Sequence, residues 1–341
     1  MLKAKLTDRR CFHGGGTGEA MSLSSPPTVQ MCNLPANPTG SLLRSTRQNL
    51  CRQGCCSADH NQAWLVKDGM AVQARRGRTS FNQLVPIDPE VPAAALLETW
   101  QHLLAGVLDG WTRAEPGALA VVTGVALPTL NGVCVASLDA DAEVVADLLD
   151  QVAATGLPHS LLVRPDVAKR VTDLAVARGM TREQLPLMVL EDSSQLGAVQ
   201  ATDGLVIREL VPAEAHLHAK AVAAGFEVPV EPFLQLMTPA SLELPGVHCY
   251  LGEVDCQPVT TGFGVTLGSY VGIFDIATPP AHRRRGYGAA VTARAVTDGL
   301  AAGAKWAWLQ PSELGYRVYE RLGFRTAEVW SCWLSAMATD P

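Results

Sequence analysis

No apolar run in this chain reaches the ~18–20 residues that a membrane span requires, although 48% of its 341 residues are hydrophobic. That combination reads as a soluble chain with a sizeable core, long enough for about two domains. Paired Cys-x-x-Cys spacing is also missing. Nine cysteines scattered over this length do not make a secreted disulfide framework. Cys134, Cys249, Cys256 and Cys332 fall in strand-like segments and are expected to act as small buried hydrophobes. Cys11, Cys32, Cys51, Cys55 and Cys56 crowd the N-terminal region near His60, where unpaired spacing favours reduced thiols over a metal site.

Beyond residue 80 the chain is short of positive charge. Residues 1–80 hold 11 Lys/Arg against 4 Asp/Glu, and the remainder 16 against 29, for a net charge of −6. An acidic body argues against nucleic acid as a partner and suits a cationic amine. Residues 1–85 show no sustained periodicity, and clusters such as Gly14-Gly-Gly and Ser24-Ser-Pro-Pro read as disorder. The segment is faintly like a transit peptide but lacks a secretory apolar core, and Met21 and Met70 are potential internal starts. A disordered or misassigned extension over 1–85 is expected, and a cytoplasmic protein.

The remainder of the chain is periodic. Leu96, Trp100, Leu103, Leu104, Val107 and Trp111 share one helical face. Residues 118–125 and 133–138 read as strands around a turn at Asn131-Gly132. Then come a helix from Asp139 to Thr155, a strand at 160–164, a helix over 167–178 closed by Gly179, and a strand at 185–190. After a linker near 195–204 the pattern restarts. A strand at 205–210 leads to helices at 213–225 and near 231–237, strands at 247–254, 259–267 and 271–278, and a helix at 289–300. A strand at 305–310, a helix at 314–322 and a strand at 326–334 complete it.

The most informative stretch is Arg283-Arg284-Arg285-Gly286-Tyr287-Gly288, between the strand closed by Pro279-Pro280 and the helix from Ala289. Strand, basic glycine turn and helix place bare N–H groups at a positive helix end, the arrangement that holds phosphate. Gly286 and Gly288 let the main chain approach an anion closely. Some thirty residues on stands Tyr319-Glu-Arg-Leu-Gly-Phe324.

The two motifs together resemble the GCN5-related N-acetyltransferase (GNAT) superfamily, with its Arg/Gln-x-x-Gly-x-Gly/Ala pyrophosphate loop and its Tyr-x-x-Leu-Gly-Phe segment. The element order after residue 203 is the same family's β-α-α-β-β-β-α-β-α-β. The resemblance implies a mixed α/β sheet in a tandem acyl-CoA N-acyltransferase fold. Its catalytic copy would span 203–336 and its degenerate first copy 90–195. In the first copy Gly179-Met180 stands where Gly323-Phe324 would, while Asp139 and Asp141 would repel pyrophosphate and Ala175 replaces the tyrosine. An unrelated α/β scaffold is the other reading of that half. In either case it is expected not to bind coenzyme A.

By the same resemblance, acetyl-CoA is the co-substrate, no metal is needed, and a small-molecule or peptide amine accepts the acetyl group by direct attack in a ternary complex. No nucleic acid or membrane partner is implied, and a homodimer is allowed. Pro279 and Pro280 should part their strand from the next one, freeing the main chain of Asp275, Ile276, Ala277 and Thr278 for pantetheine. Ile276 or a neighbour would then donate to the thioester oxygen. Arg283, Arg284, Arg285, Gly286, Tyr287 and Gly288 would hold the pyrophosphate, with Gln310 and Ser312 in place of the family's asparagine. Tyr319 is the expected general acid, with Tyr316 as understudy. The base stays open among Asp275, Glu227, Glu231 and a water chain, and the acceptor's identity is not legible. A non-catalytic acyl-CoA-binding regulator and a mycothiol-synthase-like tandem acetyltransferase are the alternatives.

Overall fold

The computed structural model describes residues 63–67, 70–74, 88, 90–104, 110–167, 169–199 and 202–336. Contacts divide the chain into two units, 1–78 and 79–341. In the first, β1 (Ala63–Lys67) and β2 (Met70–Ala74) pair antiparallel with Lys67 opposite Met70. This hairpin departs from the structureless segment expected over 1–85. The cysteine cluster and His60 lie outside the described residues.

The second unit is built on one eleven-stranded sheet. Its first half runs α1 (Glu90–Leu104), β3 (Trp111–Glu115), β4 (Ala118–Val122), β5 (Asn131–Val135), α2 (Ala142–Ala153), β6 (Ser160–Val163), α3 (Lys169–Ala177) and β7 (Thr181–Leu190). The second half opens with β8 (Val206–Glu209), α4 (Ala215–Phe226), α5 (Glu231–Leu236), α6 (Pro239–Leu242), β9 (Val247–Val254), β10 (Gln257–Leu267) and β11 (Tyr270–Ala277). It closes with α7 (Tyr287–Ala301), β12 (Trp306–Leu309), α8 (Glu313–Arg321) and β13 (Arg325–Leu334).

Two local expectations are corrected. Trp111 does not extend the helix: α1 is described to Leu104, and Trp111 begins β3, which pairs with β4 across Pro116-Gly117. Gly117 supplies the positive φ of 77° that such a turn needs. Asn131-Gly132 is not a turn but the start of β5. The Asn131 carboxamide donates to the carbonyls of Val125, Leu127 and Pro158 and accepts from Thr123 N–H. A Cβ at Gly132 would collide with the Ser160 carbonyl, so glycine permits the close approach of β5 to β6.

The strand order is β3-β4-β5-β6-β13-β7-β12-β11-β10-β9-β8. The two halves have therefore exchanged their last strands: β13 lies against β6, and β7 lies against β12. The exchanged strands pair with each other over their length, from Thr181–Leu334 at one end to Val189–Arg325 at the other. The halves repeat with one spacing here. α3 and β7 occupy 169–177 and 181–190, α8 and β13 occupy 313–321 and 325–334, and every boundary shifts by 144 residues. Gly179 and Gly323, at φ 65° and 95°, end the two helices alike. Helix α1 covers the centre, where Ala93, Ala95 and Leu96 pack with Trp306, Trp308 and Trp330 in one buried cluster. Among the described residues, no helix is long and apolar enough to cross a membrane.

Cysteine usage follows the sequence reading except at one position. Cys134, Cys249 and Cys332 are buried free thiols. Cys256 is exposed between β9 and β10 at φ 60° and is disulfide-bonded, so it is not a buried hydrophobe.

Candidate active site

Strands β11 and β12 pair in parallel from Tyr270–Trp306 to Ile273–Leu309, and no further pair follows. Past that point β11 carries a bulge. Thr261 faces Ala277 and Phe263 faces Phe274, so Asp275 and Ile276 together oppose a single residue, Gly262. Asp275 takes the left-handed φ of 50° there, a conformation aspartate tolerates better than most residues. The parting thus begins before Pro279 and Pro280, and the bulge rather than the proline pair marks it.

The opening is one side of a cavity of about 340 Å³, within the usual range for small-ligand sites. Ile273, Phe274, Asp275, Ile276, Leu309, Gln310, Ser312 and Tyr319 line it from the second half. Trp100, Val121, Leu130, Asn131 and Leu162 line it from the first. Among the described residues, Asp275 is the only charged one in this lining. The contribution of the first half had no counterpart in the sequence reading, because periodicity reports that a residue is buried and not what it faces.

Tyr319 is 8% exposed and stands edge-on to Phe324. Its hydroxyl has no hydrogen-bond partner among the described residues. Burial, reinforced by the Asp275 charge, pushes the phenol well above its ordinary range, so it keeps its proton. Tyr316 is removed from the cavity: its hydroxyl meets Thr326 Oγ1 at 2.9 Å. Gln310 carries a buried side-chain nitrogen with no protein partner. A buried amide donor facing a cavity is costly unless a ligand acceptor meets it.

Several other candidates have different uses. The Ala277 carbonyl accepts from Thr260 Oγ1 at 3.0 Å, and the Thr278 carbonyl from Arg283 Nε at 3.1 Å. Each carbonyl thus already accepts one hydrogen bond, whereas the bulge sets the main chain of Asp275 and Ile276 at the cavity. The Ser312 hydroxyl oxygen caps α8 by accepting Gly315 N–H. The Arg283 guanidinium also binds the Gly225 carbonyl and the Glu227 carboxylate, bracing the loop against the end of α4. Glu227 is thereby paired with a cation, and neither it nor Glu231 lines the cavity. Phe226 lines the cavity, while Phe233 and Trp330 are core.

The phosphate-loop candidates lie at the start of α7. Gly286 caps the helix at φ 82°, with no side-chain acceptor for the first N–H groups. Arg284 is also left-handed, at φ 65°. Alternation of this kind makes successive N–H groups converge on an anion. Arg284 and Arg285 are exposed, whereas the Tyr287 ring is buried and can offer only its main chain. The matching turn of the first half is closed: Asp141 caps α2 by accepting Glu143 N–H. Arg164, which follows β6 as Gln310 follows β12, fills the strand end with its side chain on the Ala136 carbonyl.

Residues 254–327 match the acetyltransferase (GNAT) domain model. They carry a GNAT domain. The match takes in the bulge, the glycine turn and Tyr319. A GCN5-related N-acetyltransferase from Kribbella flavida is similar in fold, at TM-score 0.55 and 20% identity over 73% of this chain and 95% of its own. A functionally unknown conserved protein from Staphylococcus epidermidis matches at TM-score 0.50 and 11% identity, over 67% and 94%. Coverage of that extent reaches past the GNAT domain into the first half, as a tandem fold requires. Comparison with curated proteins finds no match. Among the described residues no group of three His, Cys, Asp or Glu is placed to hold a metal ion.

His218 was missed altogether by sequence reasoning. It is fully buried on α4 and approaches Asp275 from behind the cavity. Its one signal in the sequence was a lone histidine on an alanine-rich face.

Proposed function

We propose that the protein is an acetyl-CoA-dependent N-acetyltransferase whose acceptor is a small amine with an apolar body. The observation that carries this reading is the convergence of Asp275, Ile276 and Tyr319 on one cavity lined mainly by apolar side chains from both halves. The uncapped start of α7 and the arginines around it suit a diphosphate. The orphaned Gln310 amide and the bulged main chain suit the pantetheine end.

In this reading Asp275 takes the proton of the entering ammonium, and the freed nitrogen attacks the thioester carbonyl. The Ile276 main chain donates to the carbonyl oxygen. As the C–S bond breaks, Tyr319 supplies a proton to the departing sulfur, and the second proton shed by the attacking nitrogen restores the phenol. Trp100, Leu130 and Leu162 exclude water and hold the acceptor's body.

The test is release of free thiol from acetyl-CoA against a panel of primary amines graded in apolar surface. Turnover is expected for compact amines with alkyl or aryl bodies, and kcat/KM should fall when Leu162 is replaced by aspartate. Binding of acetyl-CoA with no turnover on any amine would favour a regulator that only senses the coenzyme.

A further inference from the structure

We infer that His218 and Asp275 act together as one proton sink, with Thr261 fixing which nitrogen of the ring takes part. This rests on the acetyl-transfer reading for the direction in which the proton moves, though not for the geometry.

Thr261 Oγ1 lies 2.8 Å from the Tyr250 carbonyl, which can only accept, so the hydroxyl proton is given there. His218 Nδ1 lies 2.7 Å from the same Oγ1 and must therefore be the donor in that contact. The neutral ring then carries its proton on Nδ1 and turns a bare lone pair at Nε2 towards the cavity wall. Nε2 is buried without a hydrogen-bond partner, and Asp275 Oδ2 stands 3.6 Å away. That spacing is of two acceptors facing one another, slightly beyond a hydrogen bond. One added proton turns the arrangement into a bond.

Asp275 is 30% exposed on its cavity side and His218 is fully buried behind it. When the ammonium N–H bond breaks, a proton passes to the carboxylate, and the Oδ2–Nε2 gap holds it between the two groups. The imidazole thereby gives the proton a second atom to bind, and the proton returns to solvent by the exposed side of Asp275. Phe263 of β10 stands edge-on to the ring at 5.6 Å and keeps it in place. The Asp275 charge also reaches two other titratable groups, Cys249 of β9 and Tyr319 of α8. Burial first and the Asp275 charge second push both upward, so neither competes for the proton. His218 is a positioning residue, and Asp275 is the group that meets the substrate.

Two measurements on the full chain test the pair. With histidine labelled by nitrogen-15, the neutral His218 ring should show Nδ1–H at high pH and gain Nε2–H as pH falls, and Asp275→Asn should shift that change. Nε2–H in the neutral ring, or a titration indifferent to Asp275→Asn, would overturn the inference even if no acceptor amine were known. In thiol-release kinetics, His218→Gln should lower kcat about 10²-fold, with KM for acetyl-CoA changed by less than about twofold. The acidic limb of its pH profile should move to lower pH, and Thr261→Val should move that limb in part. Lost stability with an unmoved limb would mean the histidine only packs.

Discussion

Glu328 of the last strand receives Arg164 of the first half, Oε1 to Nε at 3.0 Å, with both side chains buried or nearly so. Glu90 takes a second arm of the same guanidinium, and Trp330 Nε1 donates to the other oxygen of Glu328. Burial holds the Glu328 carboxyl above its usual range even with the guanidinium beside it, so desolvation outweighs attraction here. A carboxyl raised in this way contributes stability that is fully present below about pH 4.5, its ordinary value, and is lost as pH rises through the folded value.

Arg164→Met should therefore cost about 3–5 kcal/mol at pH 8, where Glu328 is left ionised and unpaired. At pH 5 the cost should shrink, because Glu328 can take a proton. Denaturant unfolding at the two pH values measures the difference. Equal losses at both would show that Glu328 is not the group that responds.

Tyr319→Phe should lower kcat by about 10²-fold and leave KM for acetyl-CoA nearly unchanged, the pattern of a group that acts only as the bond breaks. Because burial and then Asp275 push the phenol up, the wild-type rate should show no falling limb from phenol ionisation up to about pH 10, the ordinary tyrosine value. A limb there that vanishes in Tyr319→Phe would place the hydroxyl in an exposed, ordinary environment.

The two loop glycines should separate cleanly. Gly286 sits at φ 82°, where any Cβ is strained, so Gly286→Ala should lose roughly 1–2 kcal/mol of stability along with coenzyme affinity. At Gly288 a Cβ would meet Ile276 and Thr278 at an ordinary 3.5 Å. Gly288→Ala should leave both the melting temperature and acetyl-CoA affinity almost unmoved, because the loop pattern accepts alanine there and the added Cβ meets only ordinary contacts. Gly288→Val should weaken binding by crowding the anion. Calorimetric titration beside thermal melts decides it, and unchanged affinity in Gly286→Ala and Gly288→Val would refute the loop assignment.

Much of the second half was legible because its punctuation is local. Pro279-Pro280, the glycine turn and Gly323 each end an element by their own backbone preference, and the structure ends the elements there. The repeat was legible for the same reason, in Gly179-Met180 and Gly323-Phe324. The strand exchange was not. β7 and β13 are equally long, and nothing in either says which half's sheet it completes. The bonds that the Ala277 and Thr278 carbonyls accept from Thr260 and Arg283 were not legible either, since one donor sits on a neighbouring strand and one in the loop. The bulge at Asp275 leaves no mark in composition, since it arises from a register difference between two strands. His218 needed the fold before its distance to Asp275 had meaning.

The exchange of β7 and β13 has a bearing on how the protein comes to exist. The middle of the sheet is made from the strand that comes after every other described strand in the chain, so the ribosome must pass residue 334 before the centre can close. Until then the first half waits with β6 and β7 held apart by a missing neighbour, and the apolar face meant for Trp330 stays wet. A nascent chain that has not yet reached β13 therefore offers that face to its neighbours.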